Sequence, residues 1–318
     1  MNKNKIINES LTGEQQHFKI SSSMKVGYVS LNVTNLQRSL DFYEKMLGFK
    51  TVSRISDERA RLSTDGSSSP PLIELLKAKA NTDDESLNPL APANRRRRRA
   101  GLYHFAILLP ERKYLADMLQ NLHDNRDQVY FDGLADHLVS ESIYIRDPDF
   151  IGIEIYRDRP MTEWNWGDGN RIEMATLPLN TTNLLRGSTT DGGWKGMPSK
   201  TTIGHVHLHV RSLAKAMEFY QEILGLKLTA TIPPSAAFFA AGKYHHHIAA
   251  NTWLGTDIMP ASPQSVGLNH FSIDLPSKEE FQRVEKRLAR YGKGFTDLEE
   301  RAGFVYDMDG IKIHVRHK

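Results

Sequence analysis

Cysteine is missing from all 318 residues. That excludes a disulfide framework, thiolate metal ligands and a cysteine nucleophile. Long apolar runs are missing too. None approaches the ~18 residues that a membrane-spanning helix needs, so no membrane partner is expected. The first 24 residues, MNKNKIINESLTGEQQHFKISSSM, contain no apolar signal-peptide core and read as a mobile polar tail. A cytoplasmic location follows as the default expectation. Excess charge of one sign is lacking as well. A net charge of +3 is too near neutral to imply a nucleic-acid partner. The one basic run, Arg95–Arg99, lies between Pro- and Asn-containing residues and a strand-like GLYHFAILL. It has no interleaved aromatics and reads as a solvated loop.

What the chain does have is histidine, thirteen residues with several in tight clusters, and an internal repeat. LNVTNLQRSLDFYEKMLGFK, from Leu31, aligns without a gap to LHVRSLAKAMEFYQEILGLK, from Leu208. GLYHFAILLP, from Gly101, aligns without a gap to GLNHFSIDLP, from Gly267. The order is therefore A–B–A′–B′, with two related kinds of module. Each begins with a short alternating strand such as HVHLHV. An amphipathic helix follows. In LAKAMEFYQEILG the residues Leu213, Met217, Tyr220 and Leu224 share a face, and Gly225 ends it. Three more strands complete a βαβββ module. One helix covers only one face of so small a sheet, so modules must pair, and a pair encloses a cupped cavity. The expected fold is α+β, with four βαβββ modules in two domains. Residues 25–158 and 202–318 are the expected domains of two modules each, joined by a linker over 159–201 that packs over the surface through Trp164 and Trp166.

Repeats of this kind, with LxVxxLxxSxxFYxxxLGF-like first halves, resemble the vicinal oxygen chelate superfamily. That superfamily includes glyoxalases, antibiotic-resistance proteins and extradiol ring-cleavage dioxygenases. The resemblance covers about residues 25–158 and 202–317, and it implies metal ligands on the first and last strands of the modules. The first-strand position carries Tyr28 in A, His104 in B, His205 in A′ and His270 in B′. At the last-strand position, B carries Glu154, A offers Glu74 and B′ is read as carrying Lys312. DHLVSESIYIRDPDFIGIE is similar to the extradiol signature, through His137, Tyr144, Asp147–Pro148 and Glu154. It departs from that pattern at Ala135 and Phe150, which shape turns. In B′ the matching RAGFVYDMDGIKIHV has Phe304 for Tyr144. Module A′ supplies the other half of the pattern, IGH at Ile203–His205 and YHHH before its last strand, where His246 matches the family's catalytic histidine to within one residue.

The resemblance thus implies His104, His205 and Glu154 as metal ligands and His246, Tyr144 and His137 as catalytic residues. The metal would be Fe(II), with Mn(II) as the other candidate. A small aromatic diol and O2 would be the partners, and the ring would open beside the diol. All six residues share a site only if B faces A′, and that is the expected pairing. Sequential pairing would instead join Tyr28, Glu74, His104 and Glu154 in a glyoxalase-like set, leaving His205 and His270 without a carboxylate. Two other functions stay open: a glyoxalase-type lyase or isomerase, and a metal-free protein that binds aromatics. Homo-oligomerisation also stays open. Each residue has a plainer reading too. Glu154 in GIEIY could face water while its isoleucine neighbours face the core. A lone strand histidine is usually a satisfied core or surface residue. His205, His207 and His209 share one strand face by the pleat alone.

Overall fold

The computed structural model describes residues 18–66, 70–79, 98–168, 171–188, 194–262 and 264–317. Residues 1–17 and Arg95–Arg97 lie outside them. No described helix is long and apolar enough to cross a membrane.

All four modules are present. Module A is β1 (Lys25–Val33), α1 (Leu36–Asp41), β2 (Lys50–Ser56), β3 (Arg59–Ser63) and β4 (Ile73–Lys77). Module B is β5 (Gly101–Leu108), α2 (Arg112–Asp124), β6 (Tyr130–Asp136), β7 (Ser140–Arg146) and β8 (Gly152–Asp158). The linker carries one short helix, α3 (Thr181–Leu185). Module A′ is β9 (Thr202–His209), α4 (Leu213–Met217), β10 (Lys227–Ile232), β11 (Ala236–Ala240) and β12 (Ile248–Asn251). Module B′ is β13 (Gly267–Leu275), α5 (Lys278–Arg290), β14 (Ala302–Tyr306) and β15 (Lys312–His317). The strand count in B′ is one short of the expected βαβββ. In A and A′ the helix runs on into a π-helical turn, over Phe42–Met46 and Glu218–Ile223. Ser212 caps the N-terminus of α4 by accepting from the Lys215 amide.

The strands form two sheets. One has the order β14-β15-β13-β1-β4-β3-β2 and the other β10-β11-β12-β9-β5-β8-β7-β6. Module A therefore pairs with B′, and B pairs with A′. Strand pairing crosses the expected boundaries, since each sheet takes one module from either side of the linker. The joins are the first strands of the modules, β1 against β13 and β5 against β9, both antiparallel. Once these hydrogen-bond, neither edge is left as an open ladder in the middle of the molecule.

The two sheets are tied together by a device that uses two repeated motifs. Asp147 accepts from the backbone amides of Asp149 and Ile151, and its other oxygen takes the hydroxyl of Tyr43 at 3.1 Å. Asp307 does the same with Asp309, Ile311 and Tyr220, the hydroxyl at 2.9 Å. Each tyrosine reaches from a π-helical turn of one sheet's module to a turn aspartate of the other sheet. Both tyrosines are fully buried, so each hydroxyl needs such a partner. The Phe-Tyr and Asp-x-Asp repeats are thus cross-links, not site residues.

The N-terminal stretch corrects the expected tail over 1–24 in its last seven residues. Ile20 and Met24 are buried in the main core, and the Ile20 amide donates to the Gly225 carbonyl at 3.1 Å. Two apolar side chains in a polar stretch suffice for this once a core surface lies beside them.

Candidate metal centre

The eight-stranded sheet places its site residues by register. Ala106 on β5 pairs with His205 on β9 and, on its other side, with Glu154 on β8. Glu154 pairs in turn with Tyr144 on β7. One rung across four strands therefore reads His205, Ala106, Glu154, Tyr144. His104 lies two residues before Ala106, on the same face by the pleat. Ala106 separates two ligand-type residues by two inter-strand steps, about 10 Å of backbone. Its single methyl leaves the space between them open. This small residue was not flagged in the sequence, because an alanine in an apolar strand carries no chemical signal.

The side chains converge. Glu154 Oε2 lies 3.0 Å from His104 Nε2 and 2.9 Å from His205 Nε2. Glu154 Oε1 accepts the Ser142 hydroxyl at 2.7 Å. His104, Glu154 and His205 are all buried, and their ligand atoms lie within 4.8 Å of one another. Burial alone would raise the Glu154 carboxyl, but the His205 and His104 imidazoles outweigh it and hold it well below the usual carboxylate range. Burial lowers His205 to about 4, so it is neutral near pH 7. Neutral imidazole and ionised carboxylate are the protonation states that ligate. His104 Nε2 has no hydrogen bond of good geometry despite its buried position, and His205 Nδ1 has no partner. Two imidazoles crowding one oxygen, one of them unsatisfied, fit a centre built to hold a cation. Two nitrogens and one carboxylate on one side suit a divalent transition ion with open positions opposite.

The cluster lies at the floor of a cavity of about 800 Å³ that is also lined by His137, Tyr144, His207 and His246. His137 Nδ1 lies 2.6 Å from the Ala175 carbonyl and His137 Nε2 lies 2.7 Å from the Tyr144 hydroxyl. The carbonyl only accepts, so Nδ1 bears a proton, and with that one proton on the ring Nε2 accepts from the Tyr144 hydroxyl. Ala175 belongs to the linker. Residues 171–176 form part of the cavity wall, and Trp164 is buried against Val139 and Ile172. The linker is therefore part of the site, not a strap over the outer surface. Of the three adjacent histidines, His246 lines the cavity, His245 lies behind it, and His247 accepts from the Ala241 amide. His207 bonds Asn251 through Nε2 and His209 bonds it through Nδ1.

Two glycines are required by close approach. A Cβ on Gly204, directly before His205, would stand 1.8 Å from the Tyr156 hydroxyl oxygen. A Cβ on Gly152 would stand 2.1 Å from the Tyr103 carbonyl oxygen, beside His104. At Phe150 the chain enters the left-handed region with φ +62, where B′ has Gly310 at φ +82. The departure at Phe150 is thus tolerated as a left-handed turn by a bulky side chain.

The seven-stranded sheet corrects one residue assignment. Glu154 pairs with Ala106, and the aligned Ser272 pairs with His314. His314, not Lys312, is the counterpart of Glu154. Lys312 corresponds to Gly152, and its ammonium lies 3.8 Å over the Phe304 ring. Strand residues 312 and 314 share a face, so alternation could not separate them. In this second cup the Tyr28 hydroxyl sits 2.8 Å from both His270 Nε2 and His314 Nδ1. A hydroxyl thus bridges the nitrogens there. His270→Ala is expected to leave metal content and turnover near wild type while costing about 1–3 kcal/mol of stability. Metal analysis beside a urea titration checks this; loss of the metal would contradict it.

Glu74 also belongs to this second sheet. It is bound by Arg59 and Arg61 and by the Ser30 hydroxyl. Burial would raise its carboxyl, yet Arg61 and Arg59 outweigh this and lower it from 4.5. A depressed carboxyl contributes stability that is present above the unfolded value and lost as pH falls through the folded one. Glu74→Ala is expected to lower stability at pH 7, to flatten its fall on acidification below about pH 4.5, and to leave metal binding unchanged. Denaturant midpoints at the two pH values, with metal analysis, test all three.

A four-module sheet pair with a buried His–His–Glu cluster in one cup defines a class of cupped, repeat-built proteins whose cavity could hold a divalent ion. The chain matches the Glyoxalase/Bleomycin resistance protein/Dioxygenase superfamily over residues 25–155 and 202–315, and it belongs to that superfamily. It is 35% identical over 281 residues to the catechol-2,3-dioxygenase of Bacillus subtilis (strain 168), covering 88% of this chain and 93% of that one. A crystal structure of a protein from Bacillus subtilis subsp. subtilis str. 168 shares the fold, with a TM-score of 0.61 and 14% identity, covering 94% of this chain and 86% of that one. A glyoxalase I mutant from Zea mays does so with a TM-score of 0.54 and 15% identity, covering 93% and 92%.

Proposed function

We propose that this protein is an extradiol dioxygenase that opens a catechol-type ring, with His104, His205 and Glu154 holding Fe(II). The observation that carries this reading is the single rung that brings His205, Glu154 and Tyr144 together, with His104 beside them, at the floor of the cavity. The name of the 35% identical relative points the same way. Mn(II) suits the same donors. A redox-active ion bound there would supply the electron path between an aromatic diol and O2, a reaction otherwise slowed by the spin state of dioxygen.

The chain's own residues supply the rest. Burial keeps the cavity floor poor in water, which strengthens each charge contact made there. Burial also lowers His246 well below its ordinary value, so the ring is neutral and one nitrogen is free to take a proton from a diol hydroxyl. Tyr144 and His137, already hydrogen-bonded to each other, would hold a diol oxygen and stabilise charge developing on it. The product would be a semialdehyde acid that contains both atoms of O2.

The test is anaerobic loading with Fe(II), then addition of catechol and air. A yellow ring-fission product, formed with one O2 consumed per catechol, supports the reading. Binding of catechol without oxygen uptake would favour a binding protein instead. The glyoxalase-type alternative called on Glu74, which is engaged by two arginines in the other sheet.

A further inference from the structure

Behind His246 lies a set of buried and half-buried polar groups that the proposed chemistry does not use. His245 is fully buried, and its Nδ1 lies 2.7 Å from His246 Nδ1. Its Nε2 lies 2.9 Å from Asp158 Oδ1. The other oxygen of Asp158 accepts the Tyr244 hydroxyl at 2.8 Å, and Tyr244 is in turn bonded to the Tyr156 hydroxyl at 2.8 Å. His245 is packed against the rings of Tyr244 and Trp164 at 4.1 and 5.4 Å. Asp158 is the last residue of β8, on the same strand face as Glu154. His246 lines the cavity, whereas His245 and Asp158 do not.

We propose that Asp158 and His245 are positioning residues that set the tautomer of His246, leaving its Nε2 as the free acceptor at the cavity. An ionised carboxylate only accepts, so His245 Nε2 carries a proton. With that one proton on the ring, His245 Nδ1 is bare. A proton on His246 Nδ1 then satisfies the 2.7 Å contact between the two rings. His246 is thereby fixed with Nδ1 protonated and Nε2 bare. Without the relay, a neutral imidazole in the cavity wall could take either tautomer and either ring flip. The arrangement holds a base by a second group that is itself oriented by a carboxylate, the logic of a catalytic triad extended by one ring. Its sequence trace is a pair of adjacent histidines following a tyrosine, YHH, with an aspartate four residues after the carboxylate ligand.

The kinetic part of the test rests on the dioxygenase reading; the spectroscopic part does not. In the full-length Zn(II)-loaded protein, 15N spectra of the histidine rings are expected to show His246 protonated at Nδ1, assigned by difference against His246→Gln. Asp158→Asn can donate from its amide to His245 Nε2. That reverses both hydrogen bonds and moves the His246 proton to Nε2. With Fe(II) and catechol, Asp158→Asn is expected to lower kcat by ~10²–10³ while KM changes by less than about 3-fold. Asp158→Glu should restore part of the loss, and His245→Gln should lower kcat as Asp158→Asn does. A wild-type His246 protonated at Nε2 overturns the proposal even if no variant folds. So does an Asp158→Asn enzyme that keeps wild-type kcat. A wild type that shows the Nδ1 proton but cleaves no catechol overturns the dioxygenase reading and leaves the relay standing.

Discussion

Glu154→Ala is expected to abolish both metal binding and ring cleavage. Glu154 Oε2 is the point on which both imidazoles converge, at 3.0 and 2.9 Å. It is also the one anionic donor of the three, so its removal leaves two neutral nitrogens to hold a dication. Loss of an outer partner of a metal ligand costs ~10–100-fold in affinity or activity, and loss of the charged ligand itself exceeds that. Metal retained after gel filtration should fall from about one ion per chain to a small fraction, with oxygen uptake lost in parallel. The fold should survive, because Glu154 lies on β8, between β5 and β7, and the ladder hydrogen bonds on both sides are made by backbone. The Ser142 hydroxyl and the His205 imidazole lose a hydrogen-bond partner, which costs about 1–3 kcal/mol for each group left buried. A folded Glu154→Ala protein that still carried one ion per chain would refute the three-residue centre.

His246→Ala is expected to do the opposite to the metal and nearly the same to turnover. Its Nδ1 is engaged by His245, and its ring packs on His205 with centroids 4.1 Å apart. It is not in the His104–Glu154–His205 cluster. Metal content should therefore stay near wild type. Turnover should fall by ~10²–10⁴, the range for loss of a positioned acid or base. The ring also packs against Phe238 at 5.1 Å, so alanine leaves a hole beside the cavity. His246→Gln, which fills more of that space without an imidazole, separates the chemical loss from the steric one. Equal loss in both variants assigns the effect to the imidazole. Loss of the metal in both would make His246 a ligand instead.

Much of the cluster that the eight-stranded sheet brings together is legible in the sequence alone. His104 and His205 stand out because aligned modules repeat their position, and Glu154 because His137 and Tyr144 precede it at a recognisable spacing. The choice of B with A′ follows from asking which pairing unites the complete set, and the eight-stranded sheet has that pairing. Other parts could not be read. Lys312 and His314 lie on the same face of one strand, so only the pairing of Ser272 with His314 shows which one takes the place of Glu154. Ala106 matters for its lack of bulk, and smallness in an apolar strand looks like ordinary packing. His245, His246 and His247 are adjacent, and local pattern gives no way to tell the cavity-facing ring from the one behind it. Residues 18–24 read as tail because their two buried side chains find their core partner some two hundred residues away.

The sequence by itself determined the modules, their number and the residue types available for a metal. These depend on periodicity and spacing within a few tens of residues, where local backbone geometry governs. The tertiary structure alone decided which modules share a sheet, which rung each side chain stands on and which hydrogen bonds fix the imidazole tautomers. Those depend on strand register between segments far apart in the chain. A slip of one residue there turns every side chain to the opposite face, and a slip of two exchanges a lysine for a histidine.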